Sequence, residues 1–108
     1  MTTAVLDVRT YQLVPGAREE FDRILREEAM PLLERAGIHV VAFGPSLGDD
    51  RGYGLIRAFP SRSDRDAKLG AFYGSQEWRE RFDDRVGALI DAYHVVVIDV
   101  SGQAMVPG

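Results

Sequence analysis

The sequence predicts a two-layer α+β fold whose elements run in the order βαββαβ. Three observations predict it. Period-two alternation marks four strands, in the stretches 5–16, 38–47, 53–60 and 93–100. Apolar residues at spacings of three and four mark two helical regions, at 17–36 and 61–90. Two helical regions suffice to cover one face of a four-stranded sheet and leave the other bare. This is the ferredoxin-like split βαβ arrangement, an antiparallel sheet with its helices on one side.

The first strand organises the rest. Leu6, Val8 and Thr10 fall on one face, and Asp7, Arg9 and Tyr11 on the other. The run is rich in β-branched and aromatic residues, which suits a strand. Pro15-Gly16 ends it, and a helical pattern begins at once. An Asp and an Arg of one parity in a central strand need partners, because burying an unpaired charge is expensive. Two arrangements satisfy them: a structural ion-pair face, or a ligand cavity.

From Ala17 to Ala36, Phe21, Ile24, Leu25, Ala29, Leu32 and Leu33 form one apolar stripe. The intervening Arg and Glu residues make a solvated face. Pro31 removes a backbone donor inside this helix and predicts a kink. Gly37 is a natural C-terminal stop. In the second strand Ile38, Val40 and Ala42 alternate with His39, Val41 and Phe43, and Gly44-Pro45 ends or bulges it. Gly48-Asp49-Asp50-Arg51-Gly52 reads as a polar hairpin loop. In the third strand Tyr53, Leu55, Arg57 and Phe59 share a face.

Ser63 or Asp64 is the expected cap of the next helix, with Leu69, Phe72 and Tyr73 on its apolar side. Gly74 breaks it, and Ser75 caps a fresh start. Trp78, Phe82, Val86, Leu89 and Ile90 continue the stripe. Tyr93 to Val100, YHVVVIDV, is the strongest strand. Both its parity sets are apolar in the middle, which predicts that both faces are covered. The tail from Gly102 to Gly108 is expected to be mobile or to wrap a neighbour.

A chain of 108 residues without a linker is one domain, with its core at about 5–100. A hydrophobic content of 45% and a charged content of 28% are those of a soluble globular protein. The formal charge of −4, with no Lys/Arg stripe, argues against nucleic acid as partner. The absence of cysteine excludes disulfides, thiolate nucleophiles and the usual zinc or iron–sulfur sites. No apolar run approaches the ~18 residues of a membrane span, and no leader pattern opens the chain. A cytoplasmic protein with no membrane partner is the expectation.

Two helical regions leave the second sheet face apolar on all four strands. Large uncovered apolar faces mark interaction sites, and open apolar edges invite pairing. A two-fold homodimer packed sheet on sheet, with the 93–100 strand at its edge, is therefore expected.

Further residues carry a family likeness. Val8-Arg9-Thr10-Tyr11 followed by Pro15-Gly16 resembles the opening signature of NIPSNAP-type proteins. Gly44, Phe59, Ser61 with Arg65 and Ala67, and Glu77-Trp78 follow in the family's order, so the resemblance covers roughly Val5 to Val100. Asp7 departs from the pattern, where the longer acid Glu is more usual. The resemblance implies a dimeric α/β barrel. That superfamily includes cofactor-independent monooxygenases, haem-binding and haem-degrading enzymes, isomerases and polyketide cyclases. It also implies a ligand cavity between each sheet and its own helices.

Arg9 and Tyr11 share a face, and a simple register adds Tyr53, Arg57 and Asp99; a one-residue slip would reverse any of these. An Arg with Tyr hydroxyls in an apolar pocket suits an anionic or enolic ligand. Arg supplies a fixed charge and a forked donor, and Tyr a hydrogen bond or a proton. His39 and His94, the only histidines, are candidates for titration near neutrality or for ligation of haem iron, against a purely structural role for each. Phe72, Tyr73, Trp78 and Phe82 either pack as core or form a stacking wall for a flat quinone or porphyrin.

No metal-ligand spacing, phosphate loop or Ser-His-Asp signature is present. The expected catalytic residues are Arg9, Tyr11 and His39. The expected ligand contacts are Tyr53, Arg57, Tyr73, Trp78 and His94, with no metal. The first reading is a homodimer binding a small, largely apolar molecule, with no cofactor required. A haem or porphyrin binder and a non-catalytic assembly module are the alternatives.

Overall fold

A computed structural model describes residues 3–103. It shows β1 (Val5–Leu13), α1 (Arg18–Arg23), a π-helical segment (Ile24–Ala29), α2 (Met30–Arg35), β2 (His39–Pro45), β3 (Gly52–Phe59), α3 (Arg62–Tyr73), α4 (Gln76–Arg81), α5 (Asp83–Gly87) and β4 (Ile90–Asp99). The four strands form one antiparallel sheet in the order β2-β3-β1-β4. The expected ferredoxin-like arrangement is the one observed. Residues 104–108 of the expected tail lie outside the described residues. Among the described residues no helix is long and apolar enough to cross a membrane.

The register decides what faces the helices. Asp7 pairs with Arg57 and Val97, Arg9 with Leu55 and Val95, and Tyr11 with Tyr53 and Tyr93. These residues share the helix-covered face. Leu6, Val8 and Thr10 face the other way, with Ala58, Ile56, Val96, Ile98 and His94 as their partners. Between sheet and helices lies the core, centred on Leu13, Phe21, Ile24, Leu33, Phe59 and Phe82.

Pro31 does not kink the helix in the expected way. Residues 18–35 are helical throughout, and the turn before Pro31 widens. The Met30 N–H reaches back five residues to the Leu25 carbonyl, and Pro31 falls in the first turn of α2, where its missing N–H is harmless. Gly16 and Gly37 adopt φ of 81° and 74°, which only glycine takes up without strain, and they bound this rod.

Four other expectations are corrected. A bulge at Val41 reverses parity along β2, so Val40 and Phe43 face the helices while His39 and Ala42 face out. The cap of α3 is Ser61, in extended conformation, whose hydroxyl accepts from the Asp64 N–H at 3.0 Å. The last helical region breaks at the buried Phe82, and Ile90 already belongs to β4. Finally, β4 is an edge strand open on both faces within the chain: Val96 is 43% and Val97 37% exposed. An unbroken apolar run cannot say whether its cover comes from the same chain.

Candidate functional site

Between the sheet and the helices is a cavity of about 440 Å³. The sheet supplies Arg9, Tyr11, Leu55, Arg57 and Tyr93. The first helical rod adds Phe21, Ile24, Leu25, Ala29 and Leu33, the second helical region Phe72, Tyr73, Trp78 and Val86. The π-helical segment thus feeds three of its six residues, Ile24, Leu25 and Ala29, into the wall. Trp78 stacks on Phe82 with ring centroids 5.2 Å apart, and its edge meets Tyr73 at 5.1 Å.

One side of the cavity is charged. Asp7 and Arg57 are fully buried, and Arg57 Nη2 donates to Asp7 Oδ1 at 3.4 Å. Arg65, from α3, donates to Asp7 Oδ2 through Nη2 at 2.8 Å and Nε at 3.0 Å. Arg9 stands 3.6 Å from the same oxygen, too far for a good hydrogen bond. Arg57 Nη1 donates to the Tyr73 hydroxyl at 2.8 Å. The Arg9 and Arg57 guanidinium carbons each lie 5.6 Å from the Tyr73 ring centre. Arg9 Nε and Arg57 Nε are buried without a hydrogen-bond partner among the described residues. Burial pushes the Tyr11 phenol above its ordinary pKa, Tyr73 adds to the shift, and Arg9 and Arg57 pull the other way less strongly. Tyr11 is therefore a neutral donor at physiological pH.

The ion-pair face foreseen for the β1 charges is present, and a cavity lies against it. Asp7 is the centre of an ion-pair network, and two of its arginines line a cavity. The cavity brings together Arg9, Tyr11, Arg57, Tyr73 and Trp78. Tyr53 shares their face but not the cavity wall; its hydroxyl donates to Asp22 Oδ1 at 2.6 Å, and Phe21 touches both it and Tyr11. Asp99 lies at the end of β4 and bonds to Ser101. His39 and His94 are exposed on the outer sheet face, because His39 pairs with Ala58 and His94 with Thr10. Neither imidazole lines the cavity, so the residues present do not fit an axial haem ligand there. Among the described residues no group of three His, Asp or Glu gathers to hold a metal ion.

Sequence reasoning missed Phe21, Leu55 and Tyr93 as wall residues. Parity with Tyr11 was the available signal for Tyr93, through the β1–β4 register. The role of Arg65 as the main partner of Asp7 had no local signal.

The NIPSNAP family profile matches residues 6–98. The chain belongs to the NIPSNAP family. No curated protein matches it in sequence. Among solved structures, it is similar to a NIPSNAP-like domain protein from Burkholderia xenovorans, with 15% identity over 99% of this chain and 94% of the other and a TM-score of 0.83. A NIPSNAP family protein of unknown function from Agrobacterium tumefaciens shares 20% identity over 90% and 87%, with a TM-score of 0.81. A protein from Bordetella bronchiseptica named after the antibiotic biosynthesis monooxygenases shares 21% identity over 97% and 100%, with a TM-score of 0.72. At these identities the likeness establishes the NIPSNAP fold and its kinship in architecture with that monooxygenase-type fold.

Proposed function

We propose that this NIPSNAP-family protein is a homodimer whose subunits each bind a small, largely apolar molecule carrying an acidic or enolic oxygen. The observation that carries the reading is the position of Arg9. It lies beside Tyr11 and Tyr73 on the wall of an otherwise mostly apolar cavity, with its Nε unpartnered. Few polar groups converging in an apolar concavity are the usual mark of a small-molecule site.

Such a site stabilises an enolate: Arg9 meets the charge, and the protonated Tyr11 donates to the oxygen. Enolate formation is the step common to cofactor-independent monooxygenation, isomerisation and cyclisation, and the site is proposed to serve one of these. The likeness in fold to the Bordetella protein supports the first. The second copy is supported by the exposed apolar residues of β4, with Val96 at 43% and Ile98 at 40% on the face away from the helices.

Native mass spectrometry of gently purified protein tests both parts. A dimer retaining a small molecule is expected, with that molecule lost in Arg9→Ala and the dimer unchanged. A monomer overturns the assembly. A molecule retained equally by Arg9→Ala overturns the assigned site.

A further inference from the structure

We propose that the cavity selects a monoanion, whose charged oxygen is met by the Arg9 guanidinium and the Tyr73 hydroxyl, with Arg57 as the positioning residue behind Tyr73. This rests on the ligand-binding reading above and narrows it to one class, planar enolates or phenolates with a single negative charge.

A count of charge comes first. Three guanidinium groups, of Arg9, Arg57 and Arg65, gather around Asp7, and Asp66 adds a second carboxylate at 2.9 Å from Arg65. Asp66 is itself shared with Arg62 at 3.9 Å, so at least one positive charge is left without a counter-charge. It falls to Arg9, whose contact with Asp7 is the longest of the three at 3.6 Å. Asp83, the one carboxylate among the described residues that line the cavity, is exposed and forms no ion pair with Arg9 or Arg57. A half-buried surplus charge on the wall of an apolar cavity is stabilised by a ligand of opposite sign.

The hydrogen-bond inventory then assigns Tyr73. A phenol hydroxyl accepts and donates. Arg57 Nη1 donates to it at 2.8 Å, and Arg57 is itself held by Asp7. The accepting side of Tyr73 is thus occupied by a fully buried and anchored group. Its own O–H meets no acceptor among the described residues, so it remains to donate to a ligand oxygen. Arg9 and Arg57 each lie 5.6 Å from the Tyr73 ring centre, so a ligand oxyanion beside the hydroxyl also feels both charges. Phe72, Trp78 and Tyr93 provide flat surfaces for the ligand's body.

Isothermal titration calorimetry with two probes of one skeleton tests this on the full chain. The first is the hydroxynaphthoquinone lawsone, a monoanion at neutral pH. The second is its neutral methyl ether. The wild type is expected to bind lawsone about tenfold or more tightly than the ether, the scale of a charge-assisted hydrogen bond. Arg9→Gln is expected to bring the two affinities close to parity. Tyr73→Phe, a smaller change, is expected to weaken lawsone more than the ether and so to shrink the ratio, whereas loss of packing would weaken both alike. Equal affinity for the two probes in the wild type, or an undiminished ratio in both variants, overturns the inference and leaves the ligand-binding reading in place. Binding of neither probe overturns both.

Discussion

Arg65 and Asp7, 58 residues apart in sequence, share two hydrogen bonds of 3.0 and 2.8 Å to one carboxylate oxygen. The contact fastens α3 to the central strand and also holds the charge that keeps Arg57 in place. Removing Asp7 leaves Arg57, which is fully buried, without its counter-charge. Asp7→Ala is expected to lower stability by about 3–5 kcal/mol, as for other broken buried pairs. Urea unfolding at fixed protein concentration measures it. Arg65→Ala, at a partly exposed site, is expected to lose less; the reverse order would contradict the assigned hierarchy.

Two phenols make stability sensitive to alkali. Burial raises the pKa of Tyr11, and burial together with the Asp22 carboxylate raises that of Tyr53, both from an ordinary value of 10.0. A raised folded-state pKa contributes stability that is complete below the unfolded value and is lost as pH rises through the folded one. Urea midpoints are therefore expected to hold up to about pH 10 and to fall above it. The double variant Tyr11→Phe, Tyr53→Phe is expected to be less stable at neutral pH and to lose most of this slope. A wild-type midpoint that stays level above that pH would refute the burial of these hydroxyls.

Capping of α3 separates two neighbouring serines. Ser61→Ala removes the acceptor for the Asp64 N–H and is expected to cost about 1 kcal/mol. Ser63→Ala, on the exposed first turn, is expected to change stability by less than about 0.5 kcal/mol. Thermal unfolding of the two variants side by side decides the matter, and equal effects would place the helix start elsewhere.

The proposed assembly makes its own forecast. Val96 lies on the outer face of the edge strand β4 and is 43% exposed. Val96→Asp would place a charge where a second copy packs, at a desolvation penalty of several kcal/mol. Sedimentation is expected to show a dimer for the wild type and a monomer for the variant. A variant of unchanged mass would move the interface away from this strand.

Much of this architecture is written in periodicity. Alternation along β1 groups Arg9 with Tyr11, and the unbulged register with β3, which the sequence alone leaves open by one residue, adds Arg57. The same reasoning misassigns β2, where the single extra residue Val41 turns every later side chain over. Parity also cannot say which face the helices cover, so it separates His39 and His94 from nothing. Helical spacing gathers Phe72, Tyr73, Trp78 and Phe82, and leaves core and cavity wall indistinguishable. The Asp7–Arg65 contact exists only once α3 has packed against the sheet, and no local pattern encodes it.

Trp78 is the only tryptophan in the chain, and it sits in the cavity wall between Tyr73 and Phe82. All indole emission from the protein therefore originates at one surface of the proposed binding site. The molecule carries a built-in optical probe there: a shift in its colour or intensity reports the polarity of that wall, with no label to perturb it.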